Sequence, residues 1–131
     1  MPYPMRVALF AFLAACIAIT LPALAQSVVD GDTLYVGQIK YRLCGIDAPE
    51  MGHPGYQQAI DYLHALVRGK KIECTPVGQG TPCDGWSKPR SHDLIVAQCF
   101  VDGEDLAAKM VRAGYAKDWP KFSGGYYGQQ K

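Results

Sequence analysis

Val28 to Asp47 limits the fold more than any other stretch of the chain. Thr33-Leu34-Tyr35-Val36 and Ile39-Lys40-Tyr41-Arg42-Leu43-Cys44 are rich in β-branched and aromatic residues, and only Gly37-Gln38 stands between them. Two such runs joined by two turn residues form a β-hairpin. Val28-Val29 adds a short strand before it, and Asp30-Gly31-Asp32 supplies the bend. The chain must therefore build around a small sheet whose apolar face the remaining segments have to cover.

Asp47-Ala48-Pro49-Glu50 breaks the third strand, and loop continues to Gly55. Tyr56, Ala59, Ile60, Leu63, Leu66 and Val67 then recur at helical spacing up to Gly69, which predicts an amphipathic helix packed on the sheet. Lys70 to Thr75 reads as a fourth strand and Leu94 to Val101 as a fifth, turning at Asp102-Gly103. A second helix is expected from Asp105 to Arg112, with Leu106, Met110 and Val111 on its buried side. Pro76 to Asp93 is rich in Gly, Pro, Ser and Asp without periodicity. An irregular segment of that length inside a small domain is often functional. The tail carries Trp119, Phe122, Tyr126 and Tyr127, of which at least two are expected to pack under the sheet. The order β-β-β-α-β-β-α is that of a mainly β, α+β domain: a five-stranded OB-type barrel with two to three helices. Such barrels often bind nucleic acids or sugars, but a fold alone assigns no function.

The start of the chain reads differently. Met1 to Arg6 carries one positive charge, Val7 to Leu24 is almost wholly apolar, and Ala23-Leu24-Ala25 follows the A-x-A pattern. These are the parts of a secretory signal peptide cut after Ala25. On this reading residues 1–25 are a leader and 26–131 one domain, secreted or periplasmic and monomeric, with no stable membrane insertion once the leader is removed. Two alternatives stay open. The apolar run approaches the length that spans a bilayer and could remain as a membrane tether. Leu13-Ala14-Ala15-Cys16 also resembles a lipoprotein cleavage box, which would leave a lipid anchor on Cys16.

Beyond the leader lie Cys44, Cys74, Cys83 and Cys99. An even number of cysteines in a small exported chain points to two disulfides, and the absence of any C-x-x-C pair speaks against zinc. Three connectivities are possible. The placement of Cys74 and Cys99 in strands favours joining those two, and Cys44 to Cys83. Charge excludes another class of function. The chain has 13 Lys and Arg against 12 Asp and Glu, and Arg6 is the one charged residue of the leader, so the remainder is neutral. A protein that grips long nucleic acid through its general field is basic. Phosphate chemistry here must rest on a few placed charges.

Those charges gather at strand ends: Asp32, Arg42, Asp47 and Glu50. A hairpin brings the end of its second strand near the start of its first, so Asp32 and Asp47 can converge. Several oxygens at one place suit a hard cation such as Ca²⁺ or Mg²⁺. Arg42 offers a planar fork for phosphate oxygens, and Glu50 can orient or deprotonate a water. From spacing alone, Asp-Gly turns and a strand break at Asp47-Ala48-Pro49 explain the same residues equally well.

Val29-Asp30-Gly31-Asp32-Thr33, followed by Tyr41-Arg42-Leu43-Cys44-Gly45-Ile46-Asp47-Ala48-Pro49-Glu50, resembles the signature of the thermonuclease (staphylococcal nuclease-like) family. The likeness continues through Val96 to Gly103 and Leu106 to Ala116. The resemblance implies a Ca²⁺-dependent phosphodiesterase acting on single-stranded or denatured DNA and RNA. It assigns the metal to Asp32, Asp47 and the backbone carbonyl of Ala48, and catalysis to Arg42 and Glu50. Asp30 and Thr33 stand behind the ligands as supports. One position departs from the pattern. Where the family carries the arginine of Tyr-Gly-Arg before the last strand, this chain has Leu94, within His92-Asp93-Leu94-Ile95. Arg90 and Lys88 lie just upstream, and Arg90 is the candidate replacement. If the charge is not replaced, the alternative is a non-catalytic OB-type module that binds single-stranded nucleic acid or polysaccharide.

Overall fold

The computed structural model describes residues 1–19 and 26–129. Residues 1–19 are exposed and without regular secondary structure, and the expected cleavage site after Ala25 lies outside the described residues. No helix among the described residues is long and apolar enough to cross a membrane.

The domain opens with three antiparallel strands: β1 (Gln26–Asp30), β2 (Thr33–Val36) and β3 (Ile39–Leu43). The hairpin of β2 and β3 pairs Val36 with Ile39 around Gly37-Gln38, as the two-residue turn requires. β1 is longer than Val28-Val29 alone suggested, because cross-strand bonds to β2 extend it back to Gln26. A two-residue strand, β4 (Ile46–Asp47), precedes the helix α1 (Tyr56–Val67). α1 turns Ala59, Leu63 and Val67 inward at the expected spacing.

β5 runs from Glu73 to Pro76, not from Lys70 as sequence predicted. Its limits are set by its partner: the ladder with β7 (Leu94–Val101) starts at Glu73 opposite Phe100 and ends at Pro76 opposite Ala97. The aperiodic segment between them contains a short strand, β6 (Arg90–Ser91), hairpinned onto the start of β7. β8 (Glu104–Asp105) leads into α2 (Leu106–Arg112). Asp105 is not part of that helix but its N-cap, accepting a hydrogen bond from the Ala108 N–H. β9 (Lys117–Asp118), α3 (Pro120–Ser123) and a 3₁₀ turn at Tyr126–Gln129 complete the described chain. The tail is thus more regular than its composition suggested. Tyr127 is buried and Phe122 partly so, while Trp119 and Tyr126 stay exposed.

The main path of the sheet is β1-β2-β3-β7-β5, five strands in OB-type order, with β6 and β8 as side pairings of β7. Its centre is a parallel pair, Tyr41 to Leu43 against Ile95 to Ala97. The barrel does not close among the described residues, since β5 and β1 are not paired. A separate two-stranded sheet joins β4 to β9. The core lies between the sheet and the two longer helices, where Leu34, Leu43, Ile46, Leu63, Leu106 and Met110 are fully buried. Each such side chain contributes about 1.5–3 kcal/mol relative to exposure. Cys44–Cys83 and Cys74–Cys99 are the two disulfides, the pairing that strand placement favoured.

Gly31 shows why a residue without a side chain separates Asp30 from Asp32. A Cβ there would lie 2.7 Å from the Cβ of Ala48 and 2.7 Å from that of Ala59. Gly31→Ala must push α1 or the Ala48 turn outward, an overpacking that costs about 1–3 kcal/mol. Urea denaturation is expected to show that loss as a lower midpoint with an unchanged slope. A midpoint equal to wild type would mean that this contact is not tight.

Candidate active site

The bend between β1 and β2 is built to hold one carboxylate. The register slips between Val28 and Asp30, an irregularity of the kind that re-aims side chains at strand ends. The Leu43 N–H donates to the Asp32 carbonyl at 2.8 Å, so the end of β3 lies beside the start of β2. Asp32 itself is 6% exposed. The Asp30 carboxylate accepts from the Asp32 N–H at 3.1 Å. The Thr33 hydroxyl donates to Asp32 Oδ1 at 3.1 Å, and the Ala48 N–H donates to Oδ2 at 3.0 Å. Arg42 Nη2 completes the shell, 3.2 Å from Oδ2. Burial pushes the Asp32 carboxyl up to about 7. Arg42 opposes that rise without cancelling it, and Asp30 adds to it. An acid this deeply desolvated, with one cation beside it, is a place where a second positive charge is favourable.

Arg42 does more than pair with Asp32. Its Nη1 donates to the Leu43 carbonyl at 2.7 Å and its Nη2 to the Ile46 carbonyl at 2.9 Å. The guanidinium is therefore held by two hydrogen bonds and an ion pair, with N–H groups left for a ligand. Sequence reasoning assigned Arg42 to phosphate and did not foresee this second task, which depends on the tight turn after β3.

The remaining candidates fall on two sides of that turn. Arg42 shares an open cavity of about 470 Å³ with Trp86, Lys88, Arg90, Trp119 and Phe122. Asp47, Ala48 and Glu50 line a second hollow of about 370 Å³ with His53, Tyr115 and Lys117. Asp32 touches both sets, through Arg42 on one side and the Ala48 N–H on the other. Asp47 is placed by the β4–β9 pairing opposite Lys117, a contact for which the sequence carries no periodic signal. Trp86, Tyr115 and Lys117 were not singled out from sequence; only an aromatic in an irregular segment hinted at the first.

Arg90 lines the cavity of Arg42. In the β6–β7 ladder Arg90 faces Ile95, and Ser91 faces Leu94. Cross-strand partners share a face, so Arg90 and Leu94 stand on opposite faces of the hairpin.

Among the described residues no three His, Cys, Asp or Glu side chains converge as a metal site. The candidate ligands offer only oxygens: the carboxylates of Asp32 and Asp47 and the Ala48 carbonyl. That set fits a hard cation that takes its remaining ligands from water. It does not fit zinc.

The sequence pattern described as staphylococcal nuclease homologue matches residues 40–127. Asp32 precedes that span, whereas Arg42, Asp47, Glu50 and Leu94 lie within it. The probable endonuclease LCL3 of Schizophyllum commune is 29% identical over 118 residues, covering 82% of this chain and 37% of that protein. The protein of the same name from Komagataella phaffii is 28% identical over 88 residues, covering 60% of this chain and 34% of the relative. That of Candida tropicalis is 32% identical over 81 residues, covering 57% and 32%. This chain thus matches about a third of the length of each relative. With the pattern covering more than half of the chain and the OB-type strand order around it, the chain belongs to the staphylococcal nuclease homologue family.

Proposed function

We propose that residues 26–131 form an exported, Ca²⁺-dependent nuclease that hydrolyses phosphodiester bonds in unpaired DNA or RNA. The observation that carries this reading is Asp32: a buried carboxylate joined to a guanidinium on one side and to the Asp47–Glu50 turn on the other. Ca²⁺ would be held by Asp32, Asp47 and the Ala48 carbonyl, where it would offset the charge of the phosphate and lower the barrier to attack by water. The Thr33 hydroxyl orients the Asp32 carboxylate, and the Asp30 carboxylate holds the Asp32 backbone through its N–H. The N–H groups of Arg42 not bonded to backbone bind phosphate oxygens, and Glu50 accepts the proton of the attacking water. Arg90 and Lys88 supply further positive charge to the wall of the Arg42 cavity. Export is supported by two disulfides, which persist in oxidising compartments, and by the apolar leader at 1–25. We take the domain to act as a monomer.

Glu50→Gln is expected to lower kcat on denatured DNA by about 10²–10⁴-fold, the usual contribution of a positioned general base. Excess chelator should abolish cleavage by the wild-type protein. Undiminished cleavage in chelator, or by the Glu50→Gln variant, would remove the reading. The apolar Leu94 supports a second one, a module that binds single strands or polysaccharide without turnover. Retention of a labelled oligonucleotide with no product, in the same assay, would favour it.

A further inference from the structure

The two disulfides differ in what they hold. Cys74 and Cys99 are direct partners in the β5–β7 ladder, so the backbone already keeps them together. Cys44 and Cys83 have no such pairing. Cys44 follows β3 two residues after Arg42 and is fastened to β7 by its N–H, which donates to the Ala97 carbonyl at 2.9 Å. Cys83 lies in the irregular stretch between β5 and β6. The N–H groups of Trp86 and Ser87 both donate to the Cys83 carbonyl at 2.9 Å, so the turn carrying Trp86, Ser87 and Lys88 hangs from that cysteine.

At its far end the turn is tied to β7, where the Val96 N–H donates to the Pro89 carbonyl at 2.9 Å. The Ser87 hydroxyl donates to the Phe122 carbonyl at 2.7 Å, and the Trp86 indole lies against Gly124, where a Cβ would come within 2.4 Å of its Nε1. Asp84 gathers the N–H groups of Gly78 and Gly80 and the Thr81 hydroxyl, all within the same stretch, and anchors it to nothing outside. Arg90 is held separately by the β6–β7 ladder.

We propose that the Cys44–Cys83 bridge is a positioning device for substrate: it fixes the Trp86–Lys88 wall across the cavity from Arg42. Cys74–Cys99 contributes to stability alone. The proposal rests on the nuclease reading for its kinetic form and on geometry for its content. Without the bridge the wall is left with the Ser87–Phe122 and Pro89–Val96 bonds, while the Arg90 ladder and the Asp32–Arg42 pair are untouched. Affinity should fall and turnover should not.

The test compares wild type, C44A/C83A and C74A/C99A, each below its own melting temperature. kcat and KM are measured on denatured DNA with Ca²⁺, and Kd for a labelled single-stranded oligodeoxynucleotide in the same buffer. C44A/C83A is expected to raise KM and Kd about tenfold while kcat stays within about threefold, the pattern of lost ground-state binding. C74A/C99A should melt lower and keep both constants. Ser87→Ala loosens the same turn without touching a cysteine and should raise KM about threefold; it decides the matter if C44A/C83A does not fold. Unchanged KM and Kd in C44A/C83A, or equal shifts in both double variants, would overturn the proposal. A wild-type protein that binds the oligonucleotide without cleaving it would end the nuclease reading and leave Kd to judge the bridge.

Discussion

Arg42→Ala is expected to lower the stability of the domain by about 3–5 kcal/mol, the cost of leaving a buried charge without its partner. The same change should slow hydrolysis by about 10²–10³-fold or more, as the loss of a charged contact to the transition state does. Both effects follow from one geometry. The guanidinium pairs with Asp32, which is 6% exposed, and caps the carbonyls of Leu43 and Ile46. Alanine removes all three contacts at once and leaves Asp32 Oδ2 with the Ala48 N–H alone. Adding Asp32→Asn to Arg42→Ala removes the uncompensated charge, so part of the stability should return while the rate does not. Arg42→Lys keeps the charge but not the fork that reaches two carbonyls, and should fall between. Urea melts and initial rates separate the two contributions. An Arg42→Ala protein as stable as wild type would mean that the three contacts are not formed in solution.

Leu94→Arg is expected to act in the other direction, raising kcat by about 10²-fold or more, the usual value of one placed transition-state donor. Leu94 and Val96 share a face of β7, because side chains alternate along a strand, and Val96 lines the cavity of Arg42. Leu94 is only partly buried and its cross-strand partner is the small Ser91, so a long side chain has a way out toward that cavity. Arg90 reaches the same cavity from the other face of the hairpin. A variant that folds normally yet gains nothing would show that the deficit at this position is not what limits the rate.

The sequence disclosed most where structure is locally determined. The β2–β3 hairpin and α1 appear at the residues their patterns indicated, since a two-residue turn and a 3.6-residue period leave little choice. β5 starts at Glu73 and not at Lys70 because Lys70 to Ile72 have no partner on β7. β4 and β9 were invisible for a related reason: a two-residue bridge is made by tertiary approach, here around Gly45. That residue has φ +76°, and a Cβ on it would lie 2.7 Å from that of Ser123 and 3.0 Å from Cys83 Sγ. The same crowding shapes the site. Sequence brought Asp32, Arg42, Asp47 and Glu50 to one neighbourhood, but not their division between two hollows, nor the use of Arg42 as a backbone cap. Both depend on where the C-terminal segment settles against the turn after β3.

The parallel pairing at the centre of the sheet bears on how the chain reaches its fold. Leu43 meets Ala97 only after α1, β5 and the irregular stretch have been looped out, and contacts so distant in sequence slow folding through the entropy of closing the loop. Both disulfides lie across that loop, at sequence separations of 39 and 25. A chain that unfolds with its bridges intact keeps the end of β3 and the strand β7 within short reach of each other. Oxidation therefore converts the slowest search in the topology into a nearly local one. The redox state of the compartment governs how quickly the sheet can reassemble as well as how firmly it is held.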